Sequence, residues 1–227
     1  MNDIAGNLAE VQRRIEHACE RAGRDASSVT LVAVSKTWPT EVLMVALAAG
    51  QLHLGENRAQ ELEHKAQALG GSTVQWHFVG HLQSNKVRQV VGRAELIHSV
   101  DRFGLAEAIS RRAASLGLVQ SVLIEVNVSG EATKGGVEPA RCRSLAGEAA
   151  GLPGIEVRGL MTMAPFSDQP EDSRPFFGEL ASLRDLVLAD VPGASELSMG
   201  MTRDFEVAIE EGATLVRVGE AVFGPRG

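Results

Sequence analysis

Apolar residues near the start of the chain recur at helical spacing. The stripe comprises Ile4, Leu8, Val11, Ile15 and Cys19, at steps of three or four residues. Residues at this spacing share one face of an α-helix, so the pattern predicts an amphipathic helix that buries this face. Gly23 follows the stripe at a position typical of a helix end.

Beyond this helix, short apolar runs alternate with helical patterns. The strand-like runs are 31–34, 52–54, 74–79, 96–98, 122–128, 155–160, 196–198 and 214–218. The helical stretches include 41–49, 59–69, 102–116, 139–150, 176–188 and 203–211. Alternating strands and helices are typical of a parallel sheet, and eight such units favour a closed (β/α)₈ barrel. A doubly wound open sheet is the rival architecture, but the glycine-rich G-x-G-x-x-G turn expected after its first strand is absent.

Length and composition fit one domain spanning residues 1–227. Hydrophobic residues make up 44% and charged residues 22% of the chain, as in ordinary globular proteins. The net charge of −7 argues against a nucleic acid as partner. We expect no membrane span, because no apolar stretch approaches the roughly 18 residues that a span needs. Two distant cysteines and the lack of a signal-peptide pattern predict a cytoplasmic protein.

One of the four lysines occupies a distinctive position. Lys36 directly follows the first apolar strand, whereas Lys65 falls on a polar helix face where we expect it to be solvated. Lys86 and Lys134 lie in segments with loop character. Since barrel active sites form at the carboxyl ends of the strands, Lys36 should reach that end. There it is either a nucleophilic amine able to attack a carbonyl compound or a lysine that extends its ammonium group into solvent.

Small residues follow the last two predicted strands. Ser198-Met199-Gly200 comes after the seventh run, and Gly219 follows the eighth. Barrels commonly bind phosphate at this position, because small residues let backbone N–H groups approach an oxyanion closely. Each glycine cluster alone is a weak signal. Together with a lysine after the first strand, they predict a site for pyridoxal 5′-phosphate.

These and further motifs resemble the pyridoxal phosphate homeostasis proteins (the YggS/PROSC family) over essentially the whole chain. The matching segments are Ala33-Val34-Ser35-Lys36-Thr37, Leu54-Gly55-Glu56-Asn57, Trp76-His77-Phe78-Val79-Gly80, Leu82-Gln83-Ser84-Asn85-Lys86, Gly159-Leu160-Met161, Leu197-Ser198-Met199-Gly200-Met201 and Val216-Arg217-Val218-Gly219. The resemblance implies a barrel like the N-terminal domain of alanine racemase, preceded by an extra helix, and a role in vitamin B6 homeostasis and in amino-acid and keto-acid balance.

The resemblance also implies roles for individual residues. Lys36 would carry the cofactor as an internal aldimine, and Asn57 would line the ring face. Ser198 and the backbone near Gly200 and Gly219 would hold the phosphate. Arg217 would meet the pyridine nitrogen, where an arginine can only donate and so leaves the ring neutral.

Further residues and one segment near the predicted strand ends carry weaker signals. Trp38 and Glu220 depart from the family pattern, and we expect the Glu220 carboxylate to point away from a bound phosphate. The proline-rich stretch 164–175 is either a solvated loop or a flap over the strand ends. His77 and His81 are four residues apart, but Gly80 interrupts the segment, and we expect no metal site.

The rival function is that of a pyridoxal phosphate-dependent amino-acid racemase. A racemase needs acid–base groups on both faces of the substrate α-carbon. In alanine racemase the second group is a tyrosine beside a further β-domain; this sequence contains no tyrosine, and we expect no segment for that domain. We therefore expect a cofactor-binding protein without dedicated catalysis. Apo-enzymes that use the cofactor are candidate recipients, and a monomer is the default expectation for a self-contained barrel.

Overall fold

The computed structural model describes residues 3–71, 73–131 and 134–225. Within these ranges, eight strands alternate with α-helices. The strands are β1 (Thr30–Val34), β2 (His53–Glu56), β3 (Gln75–Phe78), β4 (Leu96–Val100), β5 (Gln120–Glu125), β6 (Ile155–Met161), β7 (Glu196–Ser198) and β8 (Leu215–Val218). The helices are α1 (Ile4–Ala22), α2 (Thr40–Ala48), α3 (Ala59–Ala68), α4 (Val87–Val90), α5 (Phe103–Leu116), α6 (Pro139–Ala150), α7 (Arg174–Leu188), α8 (Phe205–Glu210) and α9 (Glu220–Phe223).

The strands form a closed parallel barrel in sequence order, which confirms the predicted (β/α)₈ fold. Strand β1 closes the barrel by pairing with β8, where Val32 lies opposite Arg217 and Ala33 opposite Val218. Because all strands are parallel, their carboxyl ends meet at one end of the barrel. The residues that follow β1, β7 and β8 therefore share one face of the molecule.

The boundaries differ from the sequence-based prediction chiefly at β5. The apolar run extends to Val128, but the strand ends at Glu125. Beyond it, Val126 forms an isolated bridge with Val137 instead of continuing along the barrel. This earlier end puts the Glu125 side chain at the carboxyl end of the barrel. The four-residue helices α4 and α9 are too short to give a periodic signal.

The predicted N-terminal helix is confirmed as α1, which ends at Gly23 in a left-handed conformation with φ 64°. Its apolar face is buried, and it packs against α8 and α9. Asn7 donates a hydrogen bond to the Val222 carbonyl at 3.0 Å, and Arg14 forms an ion pair with Glu206 at 2.6 Å. The helix thereby fixes the segments on either side of β8.

The interior contains two apolar layers and a polar region. The large core lies between strands and helices, and a smaller cluster of Val32, Leu96, Leu123, Met161 and Leu215 is separate from it. Buried polar side chains accompany these clusters on the strands: Glu56, His77, His98, Ser99, Gln120, Glu125, Ser198 and Arg217. No helix among the described residues is both long and apolar enough to cross a membrane.

Candidate functional site

A cavity of about 750 Å³ opens at the carboxyl end of the barrel. Four of the six residues singled out from the sequence line it: Lys36, Asn57, Arg217 and Gly219. Further wall is contributed by segments 163–167 and 201–204, which follow β6 and β7. These four residues, taken from three strand ends and from β8, therefore meet at one cavity.

Lys36 lies two residues beyond the end of β1 and is half-buried. The chain turns immediately after it, because Thr37 has a left-handed backbone with φ 71°. This turn is held from α3, since the Thr37 N–H donates to the Glu61 carboxylate at 3.0 Å. The conformation of the loop thus fixes the point from which Lys36 enters the cavity.

A buried ion pair supports the same loop from below. Lys65 donates to the Glu56 carboxylate at 2.6 Å and to the Ser35 carbonyl at 2.9 Å. The Ser35 hydroxyl donates to the same Glu56 oxygen at 2.6 Å. The prediction of a solvated Lys65 was wrong, because this residue shares the buried face of α3 with Ala59 and Leu62. It anchors the residue that precedes Lys36.

Arg217 is a buried arginine on β8 that lines the cavity. Its guanidinium donates to the Ser198 hydroxyl at 2.5 Å and to the Thr162 carbonyl at 2.8 Å. Burial lowers the pKa of Arg217 to about 10, and the carboxylates of Asp204 and Glu125 oppose this shift. Arg217 therefore stays protonated at neutral pH and presents hydrogen-bond donors to the cavity.

Ser198 lies beneath Arg217 and is fully buried. Its hydroxyl also contacts His98 Nδ1 at 2.8 Å, so the hydroxyl is engaged by both Arg217 and His98. This placement differs from the expectation of a direct phosphate contact, because the hydroxyl is committed to protein groups. It favours a role in positioning Arg217. On the adjoining segment, Thr202 lines the cavity and carries a hydroxyl that the sequence analysis did not single out as a ligand.

Gly200 and Gly219 shape the backbone after β7 and β8. Gly200 has φ 88°, and a Cβ there would lie 2.8 Å from the Phe205 Cα. Only glycine fits this close approach, which brings segment 201–204 to the cavity. Gly219 precedes α9, whose first internal hydrogen bonds are donated by Val222 and Phe223. The N–H groups at the start of such a helix have no acceptor within it.

Asn57 follows β2 on the cavity wall. Its side-chain oxygen is buried and has no hydrogen-bond partner. Gly80 packs against it so closely that a Cβ would lie 2.1 Å from the Asn57 carbonyl oxygen. An unpaired buried oxygen costs free energy, so this atom is suited to receive a donor from a ligand.

Glu125 is a cavity residue that the sequence analysis missed. Burial raises the pKa of this carboxyl to about 7; Asp101 adds to the shift and Arg217 opposes it. The signal that could have found it is its place at the end of a strand, which the overextended run 122–128 concealed.

Lys134 also lines the cavity and forms an ion pair with Glu131 at 3.2 Å. Ala132 and Thr133 of its loop lie outside the described residues.

The rim of the cavity carries the features that the sequence left open. Segment 164–167 of the proline-rich stretch lines the cavity, and Phe166 is 78% exposed beneath the Arg203 guanidinium. Glu220, expected to point away, is exposed and still lines the rim. Trp38 packs against Phe223 with ring centroids 6.1 Å apart. The rim therefore combines apolar and charged groups.

His77 and His81 occupy different environments. His77 is buried on β3, whereas His81 lies after this strand at the cavity. Over residues 3–71, 73–131 and 134–225, no group of three or more His, Cys, Asp or Glu side chains is placed to hold a metal ion. His77 instead contacts His53 and His98, an arrangement that the sequence analysis did not foresee.

Comparison with known proteins shows where this barrel belongs. Residues 7–227 match the family described as alanine racemase, N-terminal domain. A pyridoxal phosphate homeostasis protein of Aquifex aeolicus is 50% identical over 220 residues, which cover 96% of each chain. The structure of PipY from Synechococcus elongatus, with PLP bound, is 36% identical with a TM-score of 0.85, covering 98% of this chain and 100% of PipY.

A more distant structure shares the fold alone. Alanine racemase from Corynebacterium glutamicum is 18% identical with a TM-score of 0.74, and the match covers 98% of this chain but 61% of the racemase. The full-length matches to the homeostasis proteins are far stronger in sequence. The chain therefore belongs to the alanine racemase N-terminal domain family and, within it, to the pyridoxal phosphate homeostasis proteins.

Proposed function

We propose that this protein binds pyridoxal 5′-phosphate covalently through Lys36 and serves vitamin B6 homeostasis, with effects on amino-acid and keto-acid balance. One observation carries the proposal: Lys36 and Arg217, from the paired strands β1 and β8, line the same cavity. An amine and a fixed guanidinium in one cavity are the groups that would meet the aldehyde and the ring nitrogen of the cofactor. The relatives named for this cofactor support the same conclusion.

The side chains present fit the cofactor. Arg217 uses two donors on Ser198 and Thr162, and a guanidinium has five. Donors therefore remain for an acceptor in the cavity, such as a ring nitrogen. Asn57 contributes a buried, unpaired oxygen on the wall of the same cavity. Lys36 supplies the amine from a loop that the Lys65–Glu56 ion pair holds in place.

The phosphate of the cofactor would be bound by the segments after β7 and β8. Thr202 offers a hydroxyl at the cavity, and the shape of Gly200 brings its backbone there. The N–H groups around Gly219 at the start of α9 add donors on the neighbouring strand. Ser198 contributes indirectly by holding Arg217. The Glu220 carboxylate at the rim would repel the phosphate, so backbone N–H donors would contribute most of the phosphate binding.

A homeostatic role fits the groups around Arg217. Bound pyridoxal phosphate supplies an aldehyde for amines and an electron-withdrawing ring. Arg217 stays protonated, so it can donate a hydrogen bond to the ring nitrogen but offers no acceptor for a proton on that nitrogen. The ring would then stay neutral and withdraw electrons less strongly. No tyrosine is present in the sequence to act as a second base. The racemase alternative rests on Glu125, an acid–base group in the cavity whose pKa is raised to about 7 by burial.

The remaining assignments are extensions of this proposal. Two free, buried cysteines support a reducing compartment such as the cytoplasm. We further propose one cofactor-binding domain over residues 1–227 that acts as a monomer. Apo-enzymes that use the cofactor are its candidate recipients.

Borohydride reduction followed by peptide mass spectrometry tests the attachment. We expect one adduct of pyridoxal phosphate, on Lys36, and its loss in Lys36→Ala without a change in the far-ultraviolet circular dichroism spectrum. The informative comparison is Lys134→Ala, because Lys134 is a second amine at the cavity. An adduct that persists in Lys36→Ala and disappears in Lys134→Ala would reassign the attachment.

A second experiment separates binding from catalysis. The loaded protein is incubated with alanine, valine and serine in deuterated water, with Glu125→Gln in parallel. We expect no multi-turnover deuterium incorporation at the α-carbon in either protein. Rapid incorporation that depends on both Lys36 and Glu125 would establish the racemase-like alternative.

A further inference from the structure

A line of hydrogen-bonded side chains crosses the inside of the barrel below the cavity. It runs from Arg217 to Ser198 at 2.5 Å and from Ser198 to His98 at 2.8 Å. From His98 it continues to His77 at 2.9 Å and from His77 to His53 at 3.0 Å. Five strands contribute one residue each.

The line descends along the barrel axis. Ser198 is the last residue of β7, whereas His98 and His77 lie within β4 and β3. His53 is the first residue of β2 and is half-buried, so it lies at the amino-terminal end of the barrel near solvent. The line thus connects the cavity with the opposite end.

We propose that Ser198, His98, His77 and His53 form one hydrogen-bonded chain of fixed direction that positions the Arg217 guanidinium at the cavity. Its effect on ligand binding rests on the proposed function, whereas its direction does not. The chain adds positioning residues to the site, because none of the three histidines lines the cavity.

The direction follows from the donor inventory. Arginine has no acceptor, so the Ser198 hydroxyl oxygen accepts from Arg217. The same oxygen could also accept from His98, but the buried hydroxyl proton would then have no acceptor among the side chains and backbone groups that the structure describes. The Ser198 hydroxyl therefore donates to His98 Nδ1. A neutral imidazole that accepts at Nδ1 carries its proton at Nε2, so His98 donates to His77 Nδ1.

The same rule propagates through the remaining rings. His77 accepts at Nδ1 and donates from Nε2 to His53 Nδ1. His53 in turn carries its proton at Nε2. Neutral rings are required throughout, and burial supports them by lowering the pKa of His77 to about 3 and the pKa of His98 well below its usual value. One arginine therefore sets the tautomers of three histidines.

Long-range ¹H–¹⁵N spectra of the histidine rings test the direction in the full-length protein without cofactor. We expect His53, His77 and His98 each to be neutral with the proton at Nε2. The exposed His17 and His64 serve as internal references that exchange between tautomers. An Nδ1 proton on His98 or His77 would overturn the proposed chain.

Two variants of His98 test whether the chain positions Arg217. In His98→Phe, we expect the Arg217 Nη resonances, separate in the wild type because rotation is restricted, to merge. We also expect at least a fivefold loss of pyridoxal phosphate affinity. In His98→Asn, the amide oxygen replaces Nδ1 as acceptor for Ser198. This variant should restore both readouts while leaving the His77 tautomer mixed.

Ser198→Ala provides a smaller change that cuts the same link. It should free the His98 tautomer and the Arg217 rotation together. The positioning role is refuted if both His98→Phe and Ser198→Ala leave Arg217 rotation unchanged. These signals are read without ligand, so failure to bind pyridoxal phosphate would refute the proposed function and leave the chain itself decided by the spectra.

Discussion

The Lys65 ammonium lies 2.6 Å from the Glu56 carboxylate in a buried ion pair beneath the loop that carries Lys36. The Glu56 Oε2 atom is buried without a hydrogen-bond partner, so the carboxylate depends on the Lys65 and Ser35 contacts at Oε1. A buried pair loses most when one partner is removed, because the other charge is left uncompensated.

Replacing Lys65 with Met should therefore destabilise the protein by about 3–5 kcal/mol in urea unfolding. The matched control is Arg58→Met, since Arg58 precedes the same helix but its side chain is 70% exposed; we expect a change within about 0.5 kcal/mol. The double variant Lys65→Met with Glu56→Leu should recover part of the loss. Equal losses for Lys65→Met and Arg58→Met would contradict the role of burial.

Sequence patterns sufficed for the barrel because each strand and helix signal is local. Lys36 and Arg217 could also be placed at the site, since their strands end at the same face. The position of Lys65 was recoverable in principle, because it follows Leu62 by three residues on the buried face of α3. It was missed because a lysine in a polar segment usually faces solvent.

The histidine chain was harder to foresee. His53, His77 and His98 fall in three successive predicted strands, but their contacts depend on the stagger between strands. A shift of one residue turns a side chain from the barrel interior to its outside, and local sequence does not set this register. For Ser198 the missing fact was similar, since its commitment to Arg217 depends on the pairing of β7 with β8.

Ser198→Ala should weaken pyridoxal phosphate binding about tenfold, which corresponds to roughly 1.4 kcal/mol. The reason is indirect, because the hydroxyl acts through Arg217. We therefore expect less than a twofold effect of Ser198→Ala in an Arg217→Met background, measured by equilibrium dialysis. A full tenfold effect in that background would instead indicate direct contact between Ser198 and the ligand.

Gly200→Ala should destabilise the protein by about 2 kcal/mol or more. The backbone there has φ 88°, and the added Cβ would lie 2.8 Å from the Phe205 Cα. Gly147→Ala is the control, because Gly147 lies inside α6 and its added Cβ would meet no atom within 4 Å apart from the backbone of its own helix. That variant should gain up to about 1 kcal/mol from helix propensity. Thermal unfolding of both variants checks the contrast.

Acidification should destabilise the protein through the buried histidines. Burial lowers the pKa of His77 from 6.5 to about 3 in the folded protein, so unfolding takes up a proton below about pH 6.5. This contribution to stability is present above pH 6.5 and is lost as the pH falls toward 3. Between pH 7 and pH 5, His77→Leu should show a smaller loss than the wild type, by about 1–2 kcal/mol. Urea unfolding at both pH values measures this difference. Equal losses of stability in His77→Leu and the wild type would show that folding does not lower the pKa of His77.

Glu125 should give a pH dependence of the opposite sign. Burial raises the pKa of its carboxyl from 4.5 to about 7, so the folded protein holds this proton more tightly than the unfolded chain. The resulting contribution is fully present below about pH 4.5 and is lost as the pH rises through about 7. At pH 8 the buried carboxylate is ionised at a cost on the order of 1–3 kcal/mol, which Glu125→Gln should recover.

The Glu125→Gln variant should therefore be more stable than the wild type at pH 8 and nearly equal to it at pH 5. If Glu125→Gln changes stability equally at pH 5 and pH 8, the carboxyl titrates outside this range and is not the acid–base group of the cavity.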